Sequence, residues 1–113
     1  MITIEVQCRP GFHLVDAFRE CIHEGEFKSF ALVRGPGRAR ARAEIAHKSP
    51  RTPGKVKLEQ VTDLCRAKVS APAGQEWDIL HKFVGRLVHR FDQDLLAIRI
   101  EFPPPRRRRG ARS

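Results

Sequence analysis

Ile2-Thr3-Ile4-Glu5-Val6-Gln7-Cys8 alternates apolar and polar side chains without a break. Successive side chains of a strand point to opposite faces, so this period of two reads as a half-buried strand. Helical spacing follows at once in Leu14, Val15, Phe18, Cys21 and Ile22. Arg9-Pro10-Gly11 makes the connection, with Pro10 suited to the last loop residue or the first helical turn. The helix is expected over residues 13–24, with Gly25 just past its end.

The far end of the chain inverts this order. Trp77, Leu80, Phe83, Val84, Leu87, Val88 and Phe91 mark a helix over residues 75–91. A strand over residues 95–102 then sets Ile98, Ile100 and Phe102 against Ala97, Arg99 and Glu101. The stripe from Trp77 to Phe91 reads as core rather than as a cofactor-binding face. Gly85 interrupts the helix at a cost of ~1 kcal/mol relative to Ala. It is expected to let the helix approach the first helix or the sheet closely.

Only strand-like sequence lies between the helices. Phe30–Arg34 reads as a strand, and Gly35-Pro36-Gly37 as a turn or kink. The run from Arg38 to Ile45 alternates arginine and alanine before Glu44. Two strands of a hairpin and one long bulged strand both fit residues 30–46. Ser49–Gly54 is a loop by composition, and Lys55–Val61 and Leu64–Ser70 are short strands joined at Thr62-Asp63. The expected fold is α+β: a two-layer sandwich of a mostly antiparallel sheet with two helices on one face. Its order, β-α-β(β)-β(β)-α-β, resembles the ferredoxin-like sandwich with extra strand material in the middle. A resemblance of architecture carries no function with it.

The chain of 113 residues has the length of one domain, expected over residues 1–102. Pro103-Pro104-Pro105 cannot extend a hydrogen-bonded strand. Residues 106–113 lack aliphatic and aromatic side chains apart from Ala111 and repel one another, so a disordered basic tail is expected. No apolar run approaches the roughly 18 residues of a membrane span, and no membrane partner is expected. The N-terminus opens directly into a strand, so a signal peptide is not expected and the cytoplasm is the default location. Cys8, Cys21 and Cys65 are widely spaced with no C-x-x-C pair, which reads as buried reduced thiols rather than a metal or redox site.

The net charge is +9, and five of the positive charges fall in the tail. The body is only mildly basic, with 17 Lys and Arg against 13 Asp and Glu in residues 1–102. Sixteen arginines accompany six lysines. A GC-rich coding sequence accounts for that bias without any functional reason. Position carries more information than number. If the apolar strand positions face the helices, their neighbours face solvent. Those neighbours include Arg38, Arg40, Arg42, Lys55, Lys57, Arg66, Lys68 and Arg99, among Glu5, Glu44, Glu59 and Glu101. A sheet face with spare positive charge attracts a phosphate backbone by releasing its counterions. A solvated face laced by weak ion pairs is the plainer alternative. The tail arginines, Arg106, Arg107, Arg108, Arg109 and Arg112, would add an electrostatic arm behind a stiff proline spacer.

Sequence-selective recognition of single strands uses aromatic side chains on the sheet surface, and none is expected here. Cys8-Arg9-Pro10-Gly11-Phe12-His13 places a thiol, an arginine and a histidine at a helix start, where an anion can bind. However, Cys8 keeps the inward parity of its strand, and no phosphatase-type C-x5-R loop is present. His81 and His89 lie eight apart, which is not a ligand pair at helical spacing. No catalytic residue, metal site or cofactor is therefore expected. The expected function is a non-catalytic, nucleic-acid-associated module that holds the RNA or DNA backbone through the eight sheet positions and the tail arginines. The alternative is an adaptor that docks an acidic protein partner. A free sheet edge among the central strands leaves a homodimer open in either case.

Overall fold

A computed structural model describes residues 1–34 and 42–103. The elements in chain order are β1 (Ile2–Cys8), α1 (Leu14–His23), β2 (Phe30–Arg34), β3 (Arg42–His47), β4 (Lys55–Val61), β5 (Leu64–Ser70), α2 (Glu76–Phe91) and β6 (Leu95–Glu101). All six strands form one sheet in the order β2-β3-β4-β5-β1-β6, and every pairing is antiparallel. Phe30 stands opposite His47, so β2 and β3 are two paired strands and not one bulged strand.

This order differs from the ferredoxin-like arrangement. There a single strand separates the first strand from the one that follows the first helix. Here β5, β4 and β3 all intervene between β1 and β2. The cause lies in the middle of the chain, where β2 to β5 fold as a four-stranded meander. The β4–β5 connection is the tightest, turning on Thr62 at φ 51° beside Asp63.

Strand alternation supplies the inner face. Ile2, Ile4, Val6 and Cys8 of β1, Val56 and Leu58 of β4, and Cys65, Ala67 and Val69 of β5 are all buried. Leu14, Val15, Phe18 and Cys21 of α1 cover this face over β2, β3 and β4, while α2 packs over β5. Phe18 is the hub between the layers. Its ring lies 4.7 Å from Phe27, 5.4 Å from Phe83 and 5.8 Å from Phe30, centroid to centroid. Removing such a ring costs about 3–5 kcal/mol, which is comparable to the whole stability of a marginal domain.

Two expectations about α2 are corrected. Trp77 is 65% exposed and Val88 51% exposed, so the core stripe is Ile79, Leu80, Phe83, Leu87 and Phe91. At about 100° per residue, Trp77 and Val88 lie roughly 60–80° to one side of Leu80, whereas Ile79 and Phe83 lie on the other. The helix is rolled toward the second side. Gly85, in turn, does not mediate close packing: a Cβ there would meet nothing within 4 Å.

One buried polar residue has no place in the apolar pattern. Gln60 sits on the inner face of β4 with 5% of its surface exposed. Its Nε2 donates to the carbonyls of Phe12 and Thr62, both at 3.0 Å, and its Oε1 accepts the Val15 N–H at 3.2 Å. Gln60 thus satisfies an N–H in the first turn of α1, which has no intrahelical acceptor, and ties the β1–α1 loop to the β4–β5 turn. Gln60→Leu should lower stability by about 2–4 kcal/mol, because three backbone groups lose their partner at once. Urea denaturation checks this, and an unchanged midpoint would show that water replaces the amide.

Candidate anion-binding site

The strand registers order the outer face into cross-strand rows. One row runs Arg99, Glu5, Arg66, Glu59, Arg42 across β6, β1, β5, β4 and β3. Its signs alternate, and its members pair. Arg66 reaches Glu5 at 3.1 Å, Arg42 reaches Glu59 at 3.2 Å, and Arg99 touches Glu5 at 4.0 Å and Glu101 at 2.6 Å. Exposed pairs of this kind add little stability. Their effect on function is greater, since each arginine in the row already has a carboxylate.

The adjacent row breaks the alternation. Glu101, Thr3, Lys68, Lys57 and Glu44 follow one another across the same strands. Lys57 and Lys68 are register partners, and like charges directly opposite are destabilising. Among the described residues neither has a carboxylate within ion-pair distance, because Glu44 turns to Lys55 at 3.4 Å and Glu101 to Arg99. Residues 35–41 and 104–113 contain no Asp or Glu that could supply one.

These lysines line a hollow of about 620 Å³ at the end of the sheet, together with Lys55, Ser70, Gly54 and Met1. Glu44 is its one carboxylate among the described residues. Gly54 shapes the rim. Its φ is +123°, and a Cβ would stand 2.7 Å from the Ser70 carbonyl oxygen and 2.8 Å from the Ala71 Cβ. Only glycine lets the start of β4 lie this close to the end of β5.

Six of the basic positions read from the sequence therefore share one face: Arg42, Lys55, Lys57, Arg66, Lys68 and Arg99. Arg38, Arg40 and the tail arginines Arg106, Arg107, Arg108, Arg109 and Arg112 lie outside the described residues. Within the six, the structure separates four cations with carboxylate partners from two without. Alternation alone cannot show this, because it specifies the face and leaves the register open.

The β1–α1 loop is occupied with its own structure. Arg9 donates from Nε to the Gln93 carbonyl at 2.7 Å, and its backbone N–H donates to the Asp94 carbonyl at 2.9 Å. His13 caps α1 by accepting the Asp16 N–H at its Nδ1, 3.3 Å away. Asp63 and Asp94 both lie close enough to Cys8 to oppose its ionisation.

The thiols are shielded. Burial pushes Cys65 up to about 12, and burial with the nearby Glu26 carboxylate pushes Cys21 up to about 11. Cys8 is raised as well, first by burial and then by Asp63. A thiolate is the reactive species, so the folded protein should resist a thiol reagent at neutral pH and react fully once unfolded. The same shifts set a pH dependence. Above the ordinary thiol value of 9.0 the unfolded chain loses protons that the folded chain keeps, so stability should fall as pH rises past that value. A native thiol that reacts as fast as a free one would contradict both expectations. No protein-family model, curated protein or solved structure matches this chain.

Proposed function

We propose that this chain is a non-catalytic module that binds the phosphate backbone of nucleic acid, with Lys57 and Lys68 at the centre of the contact. The observation that carries this reading is the pair itself. Two lysines stand opposite one another, without carboxylates, on the wall of a hollow large enough for a phosphate group. A bound phosphate would relieve the repulsion, and backbone contacts of this kind need no base-reading side chain. Lys55 adds a third cation at the rim. The arginines of the neighbouring row contribute less to binding, since each must exchange an existing carboxylate for phosphate. The tail arginines Arg106–Arg109 and Arg112 would add non-specific affinity.

Duplex DNA binding measured against salt tests the proposal on the full chain. Replacing both Lys57 and Lys68 with Gln should flatten the log-log salt slope by about 1.8, at roughly 0.9 for each phosphate no longer neutralised. Arg66→Gln should change the slope less than either lysine. Lys68→Glu should raise the urea midpoint, by giving Lys57 a partner, while it weakens binding. An equal affinity for polyglutamate at the same salt would assign the face to an acidic protein instead. An unchanged slope in the double variant would reject the lysine pair as the contact.

A further inference from the structure

A second cationic cavity lies on the other layer, away from the outer sheet face. It occupies about 310 Å³ between α2 and the β2–β3 edge. Lys82, Arg86 and His81 line it from α2, and His47 and Ser29 from the edge, with Phe30 at one wall. Among the described residues no carboxylate lines it. Asp78, the acidic group nearby, is joined to the cavity through Lys82, with which it pairs at 3.5 Å in a clasp. Thr52, only 1% exposed, donates to Asp78 at 2.8 Å and accepts from Lys82 Nζ at 2.8 Å, which fastens the β3–β4 loop to α2.

The donors are already set. Lys82 donates to Thr52 and pairs with Asp78 at 3.5 Å, and an ammonium with three N–H groups retains donor capacity beyond these two contacts. Arg86 rests over the Phe27 ring, 5.8 Å from its centroid, which holds the guanidinium fork in place. His47 accepts the Ser49 N–H at Nδ1, at 3.1 Å, so the neutral ring carries its proton on Nε2. Burial, with Lys82 nearby, holds His47 below the ordinary imidazole range, so it is a neutral donor at pH 7. The charged groups that act on it are Lys82 and Arg86 on the cationic side and Asp78 on the acidic side.

Gly85 supplies the space. It sits at mid-helix with no steric reason for lacking a side chain, at a helix-propensity cost of ~1 kcal/mol. Its bare backbone forms part of the cavity lining.

We propose that this cavity binds a phosphoryl dianion, as inorganic phosphate or a small phosphate monoester. An ammonium and a guanidinium from α2 share the lining with an imidazole and a hydroxyl from the β2–β3 edge, so donors on two sides can surround a tetrahedral oxyanion more fully than a planar carboxylate. The volume leaves room for a small organic group beyond the phosphate. The site stands apart from the lysine hollow and does not depend on the nucleic-acid reading.

The test is calorimetric titration of the full chain with inorganic phosphate and with phenyl phosphate, with acetate as the planar comparison. Saturable binding of the phosphates and weaker binding of acetate are expected. Arg86→Gln should weaken phosphate by roughly tenfold or more. Gly85→Leu should abolish binding while leaving the urea midpoint unchanged or higher, because its side chain enters open space on a helix that favours leucine. Replacing Lys57 and Lys68 with Gln should leave phosphate affinity at the cavity unchanged. NMR should show the His47 titration moving upward when phosphate is bound, since a dianion favours the imidazolium. Absence of saturable phosphate binding, or full binding by a folded Gly85→Leu variant, would overturn the proposal.

Discussion

Phe18 joins the two layers of this protein. Its ring touches Phe27, Phe30 and Phe83, which come from the segment after α1, from β2 and from α2. One side chain thereby sets where both helices sit. With Phe83 against Phe18, α2 must turn its Ile79 and Phe83 flank inward. Trp77 and Val88 then face solvent, although their spacing suits a core stripe equally well. Gly85 is left beside the open cavity at the β2–β3 edge. The roll of α2, and with it the second cationic cavity, follows from this aromatic contact.

Placing both helices on one face leaves the opposite face to solvent and to charge. Arg42, Lys55, Lys57, Arg66, Lys68 and Arg99 share it with Glu5, Glu44, Glu59 and Glu101. How they combine is a matter of register alone. A one-residue slip of any strand would turn its charged set to the other face. In the observed register, one row alternates in sign across five strands, and its three arginines pair with its two glutamates and with Glu101 of the next row. The next row brings Lys57 against Lys68 and leaves them without carboxylates. A folded protein holds such a repulsion only where other terms outweigh it, and here the buried residues on the reverse of the same strands, Val56, Leu58, Ala67 and Val69, supply them.

Polar groups inside the fold follow a stricter rule. Gln60 and Thr52 are the two buried polar side chains among the described residues, and both are fully engaged. Each fastens distant segments: Gln60 holds the β1–α1 loop and the first turn of α1 to the β4–β5 turn, and Thr52 holds the β3–β4 loop to α2. The fixed loop at Thr52 brings His47 and Lys82 to the same cavity. An uncompensated polar group in either place would cost about 1–3 kcal/mol, so these residues are constrained as tightly as the apolar core.

Periodicity by itself determined most of the elements. The alternation in Ile2–Cys8, Lys55–Val61 and Leu64–Ser70 places those strands to the residue, because a strand's side chains repeat every two positions whatever surrounds them. The same local physics assigned Lys57, Lys68 and Arg66 to the solvent face. Tertiary structure alone decided the strand order, the neutralisation of Arg66 but not of Lys68, and the exposure of Trp77. It also decided the burial of Gln60, whose amide serves backbone groups from distant segments. Each of these depends on contacts between residues far apart along the chain, which a pattern read along the chain does not contain.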